Sequence, residues 1–243
     1  MKEKIKNYLM KSGFYVKRAK HVPAGCDWAH DINRWIPKLK PEILFDIGAN
    51  VGQTCTQMAA SFPNAAIHSF EPIKETFALL VNNTSSLPNT HCHNCAMGSK
   101  SGSESIVYTP YSLNNSLKTG VHDNEPDAIE ARIDVKSVDE FCEDHWIEKI
   151  DLLKTDTEGY DLEVLKGCST MLSANKIFAV LSEVTFDEEN TFHTQFGELN
   201  DYLSSFDFLV CCFYDTRTLM MLPKFGSYCN ALWVKRDLLP TLY

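Results

Sequence analysis

Acidic side chains and glycines meet directly after the first strongly apolar run of the sequence. The stretch ILFDIGANVGQT, residues 43–54, carries Asp46, Gly48 and Gly52. Glycine turns tightly and lets a ligand approach the backbone, because it has no β-carbon. Asn50, between the two glycines, tolerates a left-handed backbone better than most residues do. The stretch therefore predicts a ligand-binding turn at the end of a strand.

A second carboxylate, Glu71, follows the next strand-like run, 23 positions after Gly48. That spacing is close to the one at which an acidic residue reaches ribose hydroxyls in nucleotide-binding units. Dinucleotide sites use G-x-G-x-x-G, but Asn50 replaces the middle glycine here, and Asp46 would repel a pyrophosphate. The ammonium and sulfonium groups of S-adenosylmethionine instead attract a carboxylate. The charges favour this cofactor, with a NAD-dependent oxidoreductase as the alternative.

Apolar runs alternate with helical patterns from residue 43 onward, which predicts a parallel sheet covered on both faces. The last run, NALWVKRD, follows the sixth strand without room for a crossover helix, so we expect it to run antiparallel. The fold class is therefore α/β, with a seven-stranded, mostly parallel sheet, an antiparallel last strand and helices on both faces. Residues 101–135 break the rhythm and are interpreted as an extended excursion with a polar loop. Helices are predicted over residues 52–62, 72–85, 137–146, 159–173 and 194–205.

The charge of the chain limits its partners. A net charge of −9 over 243 residues argues against a surface built to bind nucleic acid. Residues 1–20 are the exception, with seven basic residues and one acidic residue, so peripheral contact with a membrane through this segment stays open.

The nine cysteines are an odd number, scattered through predicted strands and helices. The sequence shows neither a secretory signal nor an apolar stretch long enough to span a bilayer. We therefore expect reduced thiols in a cytoplasmic protein.

A further acidic stretch, IDLLKTDTEGYDLEVLKG, places Asp156 and Glu158 at a predicted strand-to-helix turn. With the two motifs above, it resembles the FkbM-type methyltransferase family over about residues 43–186. The three matching motifs are Asp46–Gly52, Glu71-Pro72 and Asp151–Gly167. Their order along the chain is more specific than any one motif alone. The resemblance implies a Rossmann-like class I methyltransferase fold and S-adenosylmethionine-dependent methylation, often of sugar or polyketide hydroxyls.

The resemblance also divides the chain and assigns residues to the cofactor. Residues 1–40 carry little of it and are interpreted as an N-terminal helical preface or lid, before a methyltransferase domain over 41–243. Asp156 is expected near the reacting centre. The other expected cofactor-binding residues are Asp46, Gly48, Ala49, Asn50 and Gly52 in the loop, Gln53 and Thr54 opening the helix, Glu71 with Pro72 at the ribose, and Ala96 with Met97 along the adenine.

Catalysis is assigned to Asp156 and Glu158. A hydroxyl is a poor nucleophile, so a general base within hydrogen-bond reach should help, and two nearby carboxylates raise one pKa towards neutrality. Capping of the following helix is the alternative role for Glu158. No metal ligand is assigned, although magnesium held by Asp156 and Glu183 stays open.

The expected acceptor is a sugar, a glycan or another small hydroxylated molecule, methylated on oxygen. Nitrogen methylation, methylation of a protein or of a lipid-linked glycan, and a non-catalytic cofactor-binding module remain alternatives.

Overall fold

The computed structural model describes residues 2–14, 21–109, 115–118, 127–217 and 227–239. Its helices are α1 (Lys2–Lys11), α2 (Trp28–Trp35), α3 (Gln53–Ser61), α4 (Lys74–Thr84), α5 (Val138–Asp144), α6 (Asp161–Lys166), α7 (Ser169–Ser173) and α8 (Phe196–Ser204). Its strands are β1 (Ile43–Ile47), β2 (Ala66–Phe70), β3 (Thr90–His93), β4 (Ala96–Met97), β5 (Gly102–Tyr108), β6 (Ile129–Lys136), β7 (Leu152–Thr155), β8 (Ala179–Val184), β9 (Phe208–Arg217) and β10 (Tyr228–Lys235).

The main sheet has seven strands in the order β3-β2-β1-β7-β8-β10-β9. Pairings among β3, β2, β1, β7 and β8 are parallel, whereas β10 pairs antiparallel with both β8 and β9. This confirms the predicted sheet and its antiparallel last strand. The chain runs outward from β1 to β3 and then returns to β7 on the other side of β1. Ligands of open α/β sheets bind at the carboxyl ends of the strands where the order reverses in this way.

Apolar side chains of the central strands alternate between two core clusters, one on each face of the sheet. Leu44 and Leu152 pack with residues of α2 and α3, while Phe45 and Leu153 pack with residues of α5 to α8. All four side chains are fully buried. Each such burial contributes roughly 1.5–3 kcal/mol, so both faces hold the strand ends in place. The prediction of helices on both faces is confirmed.

Residues 101–135 contain more regular structure than predicted. β4, β6 and β5 form a second sheet, with β5 and β6 antiparallel over seven residue pairs. Part of the predicted polar loop, residues 110–114 and 119–126, lies outside the described residues. The second sheet covers one side of the carboxyl ends of β1 and β2 with a small core that includes Ile73, Ile106 and Val135.

The helix predicted over residues 159–173 is two helices, α6 and α7. The break lies at Gly167, where a β-carbon would overlap the backbone carbonyl of Gly98. The close approach of these two backbones joins the end of α6 to the turn that follows β4. The interruption therefore fixes the second sheet against the main sheet.

Within residues 1–40, α2 and the residues that follow it pack in the core of the sheet, whereas apolar side chains of α1 such as Tyr8 are exposed. Trp28 of α2 is buried, with its ring centroid 6.2 Å from that of Phe62. Ile32 and Leu39 lie in the same core cluster. Residues 15–20, part of the predicted basic contact region, lie outside the described residues. The boundary at residue 40 stays a prediction.

The nine cysteines are free thiols. Within the described ranges, no helix combines the length and the apolar character that crossing a bilayer requires.

Candidate functional site

A cavity of about 440 Å³ opens at the carboxyl ends of β1, β2, β7 and β8. Most of the predicted site residues line it: Gly48, Ala49, Asn50, Gln53, Thr54, Glu71, Pro72, Ala96, Met97, Asp156 and Glu158. Two predicted residues, Asp46 and Gly52, do not. The sequence therefore locates the cavity correctly, although those two positions serve it indirectly.

A β-carbon at either glycine of the β1 loop would meet other parts of the protein. Gly48 has φ +75°, and a β-carbon there would overlap the carbonyl of Asp156. Gly52 has φ +96°, and its β-carbon would press against Leu80 and Thr84 of α4. Approach of a ligand to the backbone stays a prediction for Gly48, which lines the cavity, whereas Gly52 does not line it. Asn50 has φ +49°, the left-handed conformation that the sequence predicts.

Glu71 joins the two loops on the β2 side of the cavity. Its Oε2 accepts a hydrogen bond from the Asn50 N–H at 3.1 Å, and its Oε1 accepts one from the Ile73 N–H at 3.0 Å. Burial raises the pKa of Glu71 to about 7, against the opposing effect of these two hydrogen bonds. Each carboxylate oxygen can accept a second hydrogen bond, so Glu71 keeps acceptor capacity for a ligand hydroxyl.

The same side of the cavity combines apolar walls with unmatched polar atoms. Ile73, Met97 and Ile106 supply apolar surface. Two buried oxygens, Asn50 Oδ1 and Thr76 Oγ1, have no hydrogen-bond partner among the described residues. A flat base between the apolar side chains and polar ligand atoms at these oxygens would satisfy both features, so this half fits an adenosine-type group.

Lys154 of β7 lies beneath the cavity and was not predicted as a site residue. Its Nζ lies 3.2 Å from Asp46 Oδ1 and 3.2 Å from Asp156 Oδ2. Burial alone would lower the pKa of Lys154, but attraction by Asp156 and Asp46 outweighs it and raises that pKa. Asp46 is completely buried. It therefore acts on the cavity through Lys154, which corrects its assignment to direct cofactor contact.

Acidic groups crowd the β7–β8 side of the cavity. Glu158 occupies the turn after β7 with φ +54°, an uncommon backbone conformation for glutamate. Burial, together with repulsion by Asp156 and Glu183, raises its pKa to about 9. Burial also raises the pKa of Glu183 above its usual value. Glu158 thus carries a proton at neutral pH.

His193 completes this side and was missed in the sequence. Its Nε2 lies 3.2 Å from Glu183 Oε2, and its ring stacks on Tyr228 at 4.4 Å. Ligand atoms of Glu158, Glu183 and His193 all lie within 4.8 Å of one another. Asp156 does not belong to this group, because its Oδ2 faces Lys154. The alternative left open above, magnesium held by Asp156 and Glu183, is therefore not supported.

The segment after β8 places His193 by returning over the end of the sheet. The Thr185 N–H donates to the Thr194 carbonyl at 2.9 Å, and the Phe196 N–H donates to the Thr185 carbonyl at 2.8 Å. Thr194 Oγ1 donates to Asp161 Oδ2 of α6 at 3.1 Å. A β-carbon at Gly159 would overlap the carbonyl of Phe192, so this segment rests directly on the turn after β7.

The described part of the loop between β5 and β6 also reaches the cavity. Ser116 Oγ lies within hydrogen-bond distance of the carbonyls of Thr157 and Glu158, at 3.1 and 2.8 Å. The same oxygen accepts a hydrogen bond from the Lys118 N–H at 3.0 Å. Asn115, Ser116 and Leu117 line the cavity. The described part of this loop therefore covers the acidic side of the cavity.

The family of the chain follows from a match that spans this whole site. The family model for the methyltransferase FkbM domain matches residues 46–210, from the end of β1 into β9. The chain belongs to the FkbM methyltransferase family.

Two relatives of the FkbM chain are methyltransferases by name. Methyltransferase 1 of Beauveria bassiana is 28% identical over 142 residues, covering 51% of this chain and 57% of that protein. The hexuronic acid methyltransferase AglP of Haloferax volcanii is 29% identical over 136 residues, covering 55% of this chain and 52% of that protein. The chain thus spans little more than half the length of either relative.

Among solved structures, an rRNA methylase from Streptococcus thermophilus aligns with 91% of the FkbM chain and 99% of its own. The TM-score is 0.46 and the sequence identity is 12%. The strand order and the family match agree on a Rossmann-like class I methyltransferase architecture.

Proposed function

We propose that this protein transfers a methyl group from S-adenosylmethionine to an oxygen of a sugar or another small hydroxylated acceptor. The charge of the cavity carries the proposal. Of the described residues that line it, Lys154 is the only lysine or arginine, and two carboxylates already hold it. Among these described residues a pyrophosphate would find no free cation, whereas a sulfonium cofactor without phosphate suits the acidic surroundings.

The β1–β2 half would hold the cofactor. Glu71 would accept hydrogen bonds from the ribose hydroxyls, and Ile73, Met97 and Ile106 would enclose the adenine. The Asn50 side chain and the start of α3 would face the methionine portion. These roles use the partnerless oxygens and the spare acceptor capacity of this half.

The β7–β8 half would hold the acceptor. When bound, S-adenosylmethionine supplies an electrophilic methyl group whose carbon–sulfur electron pair leaves with the sulfur. The protein aligns the acceptor oxygen with that methyl group, an effect that can contribute several kcal/mol. Asp156 and Glu158 would contact the reacting hydroxyl, with the proton on Glu158 available to donate to a second acceptor oxygen.

The relatives support a hydroxylated acceptor. The hexuronic acid methyltransferase named above acts, by its name, on a hexuronic acid. The family match at residues 46–210 covers the carboxyl ends of the strands that build this cavity. Loss of a hydroxyl proton also calls for a carboxylate nearby, and three lie on the acceptor side.

Calorimetric titration with S-adenosylhomocysteine, with NAD as the control ligand, tests the cofactor assignment. We expect binding of the former alone, weakened in Glu71→Gln. The matched control is Glu75→Gln, because Glu75 is exposed and does not line this cavity. Binding of NAD, or of neither ligand, would contradict the proposal.

The acceptor is then tested by S-adenosylhomocysteine release with a panel of uronic acids, neutral sugars and amines. Mass spectrometry with fragmentation locates the added methyl group on oxygen or nitrogen. Turnover with amines alone would contradict oxygen methylation.

A further inference from the structure

Three carboxylates face the acceptor side, and their partners differ in ways that decide which one can take a proton. Asp156 lies 3.2 Å from the ammonium of Lys154, which is buried and permanently paired. One carboxylate oxygen of Asp156 is already engaged by a charged donor. Asp156 is therefore suited to binding a hydroxyl rather than to deprotonating it.

Glu158 is unsuited to accept the proton for a different reason. It is mostly buried, and Asp156, Glu183 and Asp161 all repel its ionised form. It therefore already holds a proton at neutral pH and cannot accept another. Contacts made by Ser116 and by the adjacent Gly159 hold its left-handed backbone in place, and this fixes the position of the carboxyl proton.

Glu183 has an imidazole partner in place of the lysine that pairs with Asp156. His193 Nε2 lies 3.2 Å from Glu183 Oε2. Oε1 of Glu183 has no hydrogen-bond partner among the described residues, and Glu183 lines the cavity. Burial raises the pKa of Glu183 above its usual value, against the opposing effect of the hydrogen bond from His193, so this carboxylate is a stronger base than an exposed glutamate.

Asn190 determines which nitrogen of His193 carries the hydrogen. Asn190 Oδ1 accepts hydrogen bonds from the N–H groups of Phe192 at 3.0 Å and His193 at 3.1 Å, which fixes the orientation of the amide. Asn190 Nδ2 then lies 3.0 Å from His193 Nδ1, closer than Oδ1 at 3.3 Å. An amide NH₂ only donates, so Nδ1 accepts and the ring hydrogen is on Nε2, directed at Glu183.

We infer that Glu183 is the general base for the acceptor hydroxyl, and that Asn190 and His193 are positioning residues that hold it as a carboxylate. The inference rests on the proposed function. The hydroxyl proton passes to Glu183 Oε1. The electron pair left on the acceptor oxygen forms the new bond to the methyl carbon as the carbon–sulfur pair leaves with the sulfur. Glu183 afterwards returns the proton to solvent through the open mouth of the cavity.

Kinetics of Glu183→Gln test the base. We expect kcat to fall by about 100-fold or more, the usual contribution of a general base, with S-adenosylhomocysteine affinity within about twofold of wild type. Asp156→Asn is the comparison, with a larger change in acceptor KM than in kcat. If wild type binds cofactor and turns over but Glu183→Gln keeps its kcat, the inference is wrong while the proposed function stands. Absence of cofactor binding in wild type would instead remove the proposed function.

Two substitutions of His193 separate positioning from packing. His193→Phe keeps a ring to stack on Tyr228 but removes the donor to Glu183, whereas His193→Gln keeps a donor. We expect about a tenfold loss of kcat for the first and near wild-type kcat for the second. The acidic limb of the pH profile of kcat should move to higher pH in His193→Phe. The carboxyl groups of Asp156, Asp161 and the protonated Glu158, together with Tyr228 of β10, face Glu183 in all variants. Equal losses in both variants would contradict a positioning role.

Nitrogen NMR of histidine-labelled protein tests the arrangement without turnover. The His193 signals, assigned from His193→Gln, should report the neutral Nε2–H form. Asn190→Asp keeps an acceptor for the two N–H groups but removes the donor to Nδ1, so His193 should become an imidazolium between two carboxylates. A wild-type ring with its hydrogen on Nδ1 would overturn the inference. So would Mn²⁺ that shifts the His193 signals and raises kcat, because Nε2 would then be a metal ligand.

Discussion

The two halves of the cavity are built by different means. On the β1–β2 side, Glu71 is held by backbone N–H groups of residues 21 positions before it and two after it. On the β7–β8 side, the acidic groups are held by contacts between side chains. Lys154 lies between Asp46 and Asp156, and His193 lies between Glu183 and Asn190. Backbone contacts tolerate exchange of neighbouring side chains, whereas paired side chains depend on both partners. The cofactor half should therefore resist substitution better than the acceptor half.

Removal of Lys154 should produce the largest effect, and it tests the difference between the two halves of the cavity most directly. Lys154→Met leaves Asp46 buried without its cation, which should cost about 3–5 kcal/mol of unfolding free energy. Urea denaturation measures this. Lys136→Met is the control, because the Lys136–Asp144 pair is exposed to solvent and its contribution to stability should be much smaller. Equal costs would show that the buried pairing does not support the acceptor half.

Gly48→Ala tests the contact between the two halves. The positive φ and the overlap with the Asp156 carbonyl should lower the free energy of unfolding by about 2–3 kcal/mol. Gly102→Ala is the control, since a β-carbon there meets no atom within 4 Å. Thermal unfolding of both variants gives the comparison, and a Gly48→Ala variant as stable as Gly102→Ala would contradict the close packing.

Glu71→Gln tests the β1–β2 half of the cavity through the pH dependence of ligand affinity. The pKa of Glu71 is raised to about 7, so the free protein is partly protonated there at neutral pH. Ribose hydroxyls favour the carboxylate, and S-adenosylhomocysteine affinity should therefore rise as pH increases from 6 to 8. Glu71→Gln should bind roughly 10-fold or more weakly and lose this pH dependence. The same slope in the variant would assign the titration to another group.

The raised pKa of Glu71 also makes the stability of the protein depend on pH. Stability should fall as pH rises, whereas ligand affinity should increase. Unfolded Glu71 ionises near pH 4.5, but the folded side chain holds its proton up to about pH 7. Stability from Glu71 is therefore fully present below pH 4.5 and is lost as pH rises towards 7. Unfolding measured across that range should show a smaller decline for Glu71→Gln.

Ser116→Ala should have the smallest effect. Ser116 contacts two backbone carbonyls of the turn after β7, and loss of such a hydrogen bond costs roughly 1 kcal/mol. We expect acceptor KM to rise severalfold with cofactor affinity unchanged, as measured by steady-state kinetics and calorimetry. A change in cofactor affinity instead would show that the loop serves both halves.

The sequence predicts the residues that line the β1–β2 side of the cavity well, because their signals are local. Glu71 and the β1 loop stand at strand ends, and glycines and carboxylates at strand ends are visible without a structure. The same signals misassign Gly52, because the sequence does not show that its missing side chain accommodates α4.

The acceptor half is harder to predict because its contacts join distant segments. Lys154 lies inside the buried strand β7, where the carboxylates of Asp46 and Asp156 beside it explain a charge. His193 lies in the connection between β8 and α8, and nothing in that stretch indicates that it folds back over Glu183. The second sheet escaped prediction for a related reason, since β4 has only two residues and much of β5 is exposed.

The glycine contacts restrict how this architecture can diverge. Gly48, Gly159 and Gly167 each receive a carbonyl from another segment, so the loops around the cavity rest on one another's backbones. An insertion in one of them would displace its neighbour and require a matching insertion there. Side chains that face the cavity, such as Tyr228, can change without moving any of these backbones. Descendants of this chain that differ in acceptor should therefore differ in side chains while keeping the same loop lengths.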